Sequence, residues 1–343
     1  MVMEILITGG AGFIGSHFAD YMLRNYPNDR IVCLDKLTYA GNMHNLEGAL
    51  ENKNFTFVCG DIADEGAVEK LFCSHCFGMV INFAAESHVD RSIADAAPFI
   101  RTNVAGVQTI LSACVRHNVA RFHHISTDEV YGDMPFDDEV TKFGENSPLR
   151  PSSPYAASKA AADLLVGAYC RTYGLFATLS RCANNYGGRQ FPEKLIPVCI
   201  SRALNNLPVP VYGSGRNVRE WLDVYDHCRA IDLILQRGTA GQVYNVGSGE
   251  CLSNNALVGD ILGILGKSRS LIEYVPDRMG HDRRYCTDSS MLRALGWRPQ
   301  VTLAQGLART VRWYVENKRW LECVSSGEYL KNNAHYAATN SIK

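Results

Sequence analysis

No excess of either charge marks this chain of 343 residues. Lysine plus arginine number 34 and aspartate plus glutamate 35, a formal net charge of -1. That excludes the basic field through which a protein holds nucleic acid or an anionic membrane surface. There is no apolar run of the roughly 18 residues that a membrane-spanning helix needs. The first strand candidate, Ile5-Leu6-Ile7-Thr8, starts almost at the first residue. No secretory signal is therefore expected, and the expected location is cytoplasmic. Internal repeats and low-complexity segments are also missing. Cysteine is not scarce, at 12 residues, but Cys73-Ser74-His75-Cys76 is the single CxxC. It has no second pair at zinc spacing, so no metal is expected. Most other thiols stand in apolar stretches such as Ile31-Val32-Cys33-Leu34 and Val198-Cys199-Ile200, and read as buried and free.

What remains is an ordinary globular composition, 46% hydrophobic and 20% charged, enough for a large core and one to three domains. Short apolar runs at 4–8, 30–34, 56–59, 79–83, 121–126 and 177–181 read as strands. Between them, 14–26, 65–72, 103–117 and 154–173 carry helical patterns. Strands alternating with helices predict an α/β fold with a Rossmann-type, doubly wound parallel sheet. After about residue 186 the loops lengthen and become richer in Gly, Pro and Arg, as expected of a smaller C-terminal α/β substrate-binding lobe. The division expected is a dinucleotide-binding domain over 1–185, to which parts of about 220–250 return. A substrate lobe takes up most of 186–330, and a polar, frayed tail covers 331–343.

Gly9-Gly10-Ala11-Gly12-Phe13-Ile14-Gly15 directly follows the first strand and opens a helix. Gly9, Gly12 and Gly15 have the GxxGxxG spacing that permits a tight turn and close approach of backbone to a pyrophosphate. Asp35 ends the second strand, about twenty residues on, where a carboxylate accepts the adenosine ribose hydroxyls and repels a 2′-phosphate. NAD is therefore expected rather than NADP. The following Lys36-Leu37-Thr38 complicates this, because a lysine attracts phosphate. Asp61-Ile62 is expected beside the adenine, and Phe83-Ala84-Ala85-Glu86-Ser87 supplies small residues where the chain passes close to the cofactor.

Two further motifs lie about two dozen residues apart: Ser126-Thr127-Asp128-Glu129-Val130-Tyr131-Gly132 and Tyr155-Ala156-Ala157-Ser158-Lys159. Tyr155 and Lys159 share a helix face at i,i+4. A free phenol with pKa about 10 is a poor base at neutral pH, and a nearby ammonium is expected to lower that value. Thr127 can hydrogen-bond the hydroxyl that Tyr155 deprotonates. Alcohol oxidation needs no more than these three. Asp128 and Glu129 are additional. Adjacent carboxyls raise each other's pKa, so one can stay protonated as an acid while the other acts as a base. They point to a second reaction coupled to the oxidation.

The chain resembles the dTDP-glucose 4,6-dehydratases of the extended short-chain dehydrogenase/reductase family from about residue 4 to about residue 320. Beyond the motifs above, the resemblance rests on Ala84-Ala85-Glu86-Ser87-His88-Val89-Asp90-Arg91-Ser92, Asn184-Asn185-Tyr186-Gly187, Phe191-Pro192-Glu193-Lys194-Leu195-Ile196-Pro197, Val218-Arg219-Glu220-Trp221-Leu222 and Gly280-His281-Asp282-Arg283-Arg284-Tyr285. It implies oxidation at C4 of a nucleotide sugar with Tyr155 as base and Thr127 assisting. Glu129 then removes the C5 proton, Asp128 protonates the departing C6 hydroxyl, and hydride returns to C6, so tightly bound NAD is regenerated. It also implies that Thr102 and Asn185 contact the cofactor. The implied substrate contacts are Ser87, Thr127, Asn184, Glu193, Lys194, Leu195, Pro210, Tyr212, Arg219, Asn254, Asp277, Arg278 and His281. A homodimer through helices 103–117 and 154–173 is implied as well.

The chain departs from the family pattern at Ala183, at Gly188-Arg189 and at Asp223. Gly188-Arg189 is expected to border the substrate loop and to bear on sugar or nucleotide preference. The alternatives are a 4,6-dehydratase acting on a UDP- or CDP-sugar or a substituted hexose, a nucleotide-sugar 4-epimerase or decarboxylase, and a non-catalytic NAD-binding scaffold. Asp128-Glu129 argues against the epimerases, and the full set of five catalytic residues argues against the scaffold.

Overall fold

The computed structural model describes residues 2–136, 138 and 140–342. Twelve strands follow one another along these residues: β1 Glu4–Thr8, β2 Arg30–Asp35, β3 Phe55–Cys59, β4 Met79–Asn82, β5 Arg121–Thr127, β6 Ala177–Cys182, β7 Asn184–Tyr186, β8 Val209–Tyr212, β9 Val218–Asp223, β10 Val243–Val246, β11 Cys251–Ser253 and β12 Ile272–Val275. Seven form one sheet in the order β10-β6-β5-β4-β1-β2-β3, with every pair parallel. Strands β1, β2 and β4 carry mainly apolar interiors because helices cover both faces, whereas β5 and β6 bury polar residues such as His123, which meets Thr178 and Ser180. Ile5 and Ile7 belong to one core with the helices Phe13–Asn25 and Val224–Arg237. Leu6 belongs to the opposite core with Glu65–Ser74, Val107–Arg116 and Pro154–Tyr173.

Strand β10 is late in sequence but pairs with β6, so the chain returns to the large sheet after β9. A third core lies between the helices Leu195–Leu204, Asn254–Ile264 and Leu303–Glu316, with Tyr186 and Trp221 on its sheet side. Two small sheets edge it: β11-β9-β7 and β12-β8.

Helix Pro154–Tyr173, which carries two of the expected catalytic groups, has clear stop and start signals. The Ser153 hydroxyl accepts the Ala156 amide, Pro154 occupies the first turn, and Gly174 closes the far end at φ 70°. Each of these is a favoured capping choice. The expected helix 103–117 begins earlier, at Ala97, and runs through a π-helical stretch, Ile100–Gly106, before becoming α-helical. Wide turns of this kind are frequent at functional sites. Asn103, within it, holds the loop after β4 by accepting the Glu86 amide and donating to the Glu86 carbonyl.

The expectation of a frayed tail fails. Residues Tyr329–Asn340 form a helix that packs against the loop after β2. Its hold combines two tyrosine rings, Tyr329 on Phe191 and Tyr336 on Phe57, with a set of polar contacts. The buried Asn333 side chain accepts the Met43 amide and donates to the Gly41 carbonyl, and the Tyr329 hydroxyl donates to the Tyr39 carbonyl.

Candidate active site

The carboxyl ends of β1, β2, β4, β5 and β6 open onto one cleft of about 620 Å³. This is the edge of a parallel sheet at which ligands bind. On one side Gly9 (φ 70°) turns the chain from β1 into the helix Phe13–Asn25. A Cβ at Gly9 would stand 2.5 Å from the Ala84 nitrogen, and one at Gly15 would stand 2.4 Å from the Gly9 carbonyl oxygen. Only glycine fits either place. Gly12, at the helix entrance, makes no side-chain cap bond, so the first-turn amides are left to another acceptor.

The residues at this end suit a dinucleotide with a free 2′-hydroxyl. Asp35 is buried, and its carboxylate accepts the Ala11 and Leu37 amides at 2.9 and 2.8 Å. Burial pushes its pKa up while those two amides hold it down. Lys36 does not stand ready for a phosphate. Its ammonium pairs with Asp61 at 2.8 Å, and Arg101 joins the same carboxylate at 3.2 Å. The complication read from Lys36-Leu37-Thr38 is thereby removed.

Of the residues expected at the cofactor, Gly9, Gly12, Phe13, Ile14, Gly15, Asp35, Lys36, Thr38, Asp61, Ile62, Phe83, Ala84, Ala85, Ser87, Thr102, Tyr155, Lys159 and Asn185 line the cleft. Leu37 does not. It takes a left-handed turn (φ 56°), and its side chain packs against the core beneath.

Thr127, Asp128, Glu129, Tyr155 and Lys159 meet midway along the cleft. The Thr127 hydroxyl lies 3.3 Å from an Asp128 oxygen and accepts the Glu129 amide at 3.3 Å. Asp128 is 1% exposed, and its second oxygen has no hydrogen-bond partner. Burial first, then the Glu129 and Glu220 carboxylates, push the Asp128 carboxyl well above its ordinary range. Burial raises Glu129 too, but Arg278, Lys194 and Arg219 pull against it. The two neighbours are thus separated: Asp128 is the group that keeps a proton, and Glu129 the one with cations to favour its ionised form.

Tyr155 corrects an expectation. Burial, followed by the Glu129 charge, pushes its phenol well above 10, while a hydrogen bond from Thr127 lowers it. Lys159 is committed elsewhere. Its ammonium donates to the Ile125 carbonyl at 2.6 Å and lies 3.4 Å from His124 Nε2. Burial lowers Lys159 to about 8.

At the other end, Ser87, Asn184, Glu193, Lys194, Leu195, Pro210, Tyr212, Arg219, Asn254, Arg278 and His281 line the cleft together with Thr127. Asp277 does not; it accepts His281 Nδ1 at 2.6 Å and the Arg278 amide at 2.9 Å, so it braces two residues that do. Arg219 is anchored by its donation to the Asp282 carbonyl and by stacking over Tyr285 at 4.4 Å. Buried polar atoms without partners gather here: Trp221 Nε1, Asn254 Oδ1, Arg278 Nε and Gln190 Oε1. Such atoms are costly unless a ligand answers them. Sequence reasoning missed His88, Asp90, Gln190 and Trp221 as lining residues, although the motifs that contain His88, Asp90 and Trp221 had been singled out.

The departures at 188, 189 and 223 lie outside the lining. Gly188 sits against the Trp313 ring, and Arg189 turns to Asp20 at 2.8 Å. Asp223 caps the helix Val224–Arg237 and pairs with Arg309. Gly188-Arg189 thus directly precedes the lining residues Gln190 and Phe191 without lining the cleft itself. Ala183 does line the cleft. The CxxC lies outside it, at the exposed end of the helix Glu65–Ser74.

Residues 6–310 match the family described as GDP-mannose 4,6 dehydratase. The chain belongs to that family. A dTDP-glucose 4,6-dehydratase of Actinoplanes sp. is 48% identical over 324 residues, covering 93% of this chain and 99% of its relative. The solved structure of the dTDP-glucose 4,6-dehydratase DesIV from Streptomyces venezuelae, with NAD and dTDP bound, superposes with a TM-score of 0.90 at 49% identity. It covers 94% of this chain and 100% of its own. A UDP-glucose 4-epimerase from Thermotoga maritima shares the fold at 32% identity, with a TM-score of 0.85 over 92% of this chain and 99% of that one. The fold is thus shared by dehydratases and an epimerase and does not by itself fix the reaction.

Proposed function

We propose that this protein is an NAD-dependent sugar-nucleotide 4,6-dehydratase that converts dTDP-glucose to dTDP-4-keto-6-deoxyglucose. The observation that carries the reading is the Asp128-Glu129 pair beside Tyr155, Asp128 buried and Glu129 half-buried, with Asp128 raised well above its ordinary range and Glu129 raised against the pull of three cations. Its relatives of that name support the nucleotide. Bound NAD supplies a hydride acceptor at C4 and the same hydride for C6, so no external reductant is consumed.

The remaining work falls to side chains. Tyr155, helped by the Thr127 hydroxyl, takes the C4 hydroxyl proton as the ketone forms. With its pKa held well above 10 the Tyr155 phenol is protonated at neutral pH, so its action as base requires a cation to stabilise the phenolate, and the Lys159 ammonium stands on the same helix face. The new ketone acidifies the C5 proton, which Glu129 removes. Asp128, holding its proton in a buried site beside other carboxylates, delivers it to the departing C6 hydroxyl, and water leaves; Glu129 then returns its proton to C5 as hydride reaches C6. Arg219 and Lys194 are the cations suited to the diphosphate, since a fixed guanidinium can grip it through two donors. An epimerase needs no such acid–base pair, because it only removes and returns hydride.

The domain division is proposed on the same footing: the large sheet with β10 holds the dinucleotide, and the lobe after β7 holds the nucleotide sugar. A homodimer is proposed through the helices Val107–Arg116 and Pro154–Tyr173. Leu164 on the latter is 65% exposed and Tyr173 58%, a large apolar exposure of the kind a partner helix covers.

The test is mass spectrometry of the purified protein incubated separately with dTDP-glucose, UDP-glucose and CDP-glucose. A product lighter by one water, formed from dTDP-glucose without added reductant, is expected. Water loss only from UDP- or CDP-glucose would move the nucleotide assignment, and no loss from any of the three would overturn the reaction.

A further inference from the structure

Two cysteines outside the reaction meet at the foot of the substrate lobe. Cys251 begins β11, opposite Glu220 of β9. Cys286 closes the loop that carries Arg278 and His281 into the cleft, and its carbonyl accepts the Phe143 amide. Their sulfurs are 3.1 Å apart, with Cys251 oriented to donate its S–H to Cys286. Cys251 is half-buried and Cys286 buried. Glu220 completes a cluster whose ligand atoms all lie within 4.8 Å, which invites a metal reading. Its carboxylate is already committed, however: it accepts the Gly249 amide at 2.6 Å, the Thr287 amide at 3.0 Å and the Thr287 hydroxyl at 2.8 Å. The two thiols are left with each other.

We propose that Cys251 and Cys286 form a reversible disulfide that locks the loop bearing Arg278 and His281 to the strand leading into Asn254. A disulfide needs about 2.05 Å between sulfurs, so the approach required is about 1 Å. Proximity of this order is what makes one thiol an efficient trap for its oxidised neighbour. The Cys251 hydrogen bond lowers the Cys286 thiol to about 7, so a thiolate is present at neutral pH.

With hydrogen peroxide as oxidant the chemistry balances. Cys286, as the thiolate, attacks the peroxide through sulfur. The O–O bond breaks, Cys286 becomes a sulfenic acid and one water leaves. Cys251 then attacks the Cys286 sulfur; the S–S bond forms, the S–O bond breaks and a second water leaves. Two thiols lose two hydrogens and two electrons, and one peroxide becomes two waters. A dithiol reductant reverses the state.

The consequence for binding rests on the reading of the cleft as a nucleotide-sugar site. Asn254 lies three residues beyond Cys251, and Arg278 and His281 lie shortly before Cys286; all three line the cleft. Fixing the loop in the conformation that faces the ligand reduces the ordering cost of binding. The locked form is expected to bind more tightly.

The full-length protein is treated with peroxide, digested without reduction and mapped by mass spectrometry, and dTDP binding is titrated before and after. A linked peptide joining Cys251 to Cys286, released by dithiothreitol, is expected, together with tighter dTDP binding that Cys251→Ser and Cys286→Ser both abolish. Oxidation of either residue to sulfinic acid with no link formed would overturn the proposal. So would a link that leaves dTDP affinity unchanged. If the reduced protein binds no dTDP while the link still maps to these residues, the disulfide stands and the nucleotide reading falls.

Discussion

At the residue scale, the strongest constraint is the unequal treatment of two neighbouring carboxyls. Asp128 has a free oxygen in a dry site, while Glu129 faces three cations. Asp128→Asn and Glu129→Gln are each expected to lower kcat by on the order of 10²–10⁴, the usual worth of a positioned acid or base. Both should spare the first oxidation, so NADH absorbance should build up in a single turnover; full steady-state turnover in both variants would refute the assignment. Lys159 gives a prediction for stability. Its folded pKa, about 8, lies below its ordinary 10.5, so folding favours the neutral amine. The destabilisation is complete below about 8 and is relieved as pH rises toward 10.5. Stability is thus expected to climb across that window, and Lys159→Met should flatten the climb in denaturant titrations at fixed pH values. An unchanged slope would mean that other groups set it.

At the scale of elements, the helix Tyr329–Asn340 holds the loop after β2 through Asn333. Asn333→Ala would leave the buried Met43 amide and Gly41 carbonyl without that partner, at a cost of about 1–3 kcal/mol. A lower thermal midpoint and faster loss of NAD on gel filtration are expected; an unaltered midpoint would show the contact to be dispensable. This helix also marks where sequence reading stops. The glycine turn, Asp35, the Thr127-Asp128-Glu129 run and the Tyr155/Lys159 pair were legible because each is local, a few residues in one turn or on one helix face. The tail helix was not, because its anchors, Asn333, Tyr329 and Tyr336, meet partners far away in sequence. His88, Asp90 and Trp221 were missed for a related reason: their motifs were visible, but which side chain of a loop faces the ligand depends on packing. Leu37 and Asp277 are the converse, contiguous with lining residues yet turned away by a left-handed backbone in one case and by bonds to neighbours in the other.

At the scale of the whole molecule, the exposed face of the helix Pro154–Tyr173 bears on assembly. Leu164→Arg is expected to convert a dimer into a monomer in analytical ultracentrifugation, since a charge there would be buried without a partner. A wild-type protein that sediments as a monomer would remove the helix-helix interface from the account. The alternation of strands and helices made the large sheet readable from sequence. The arrangement of the smaller lobe was less so, because β7 and β11 are three residues each and pair with β9 on either side of it.

The order of residues along the chain gives the tail helix a temporal role. The loop it covers, around Tyr39–Met43, is made early in synthesis, and the helix that covers it follows 290 positions later. On a ribosome, the first half of the molecule can fold its sheet while this edge of the dinucleotide cleft is still uncovered. The brace follows the loop it holds by 290 positions, so the order of synthesis separates the forming of this edge from its bracing.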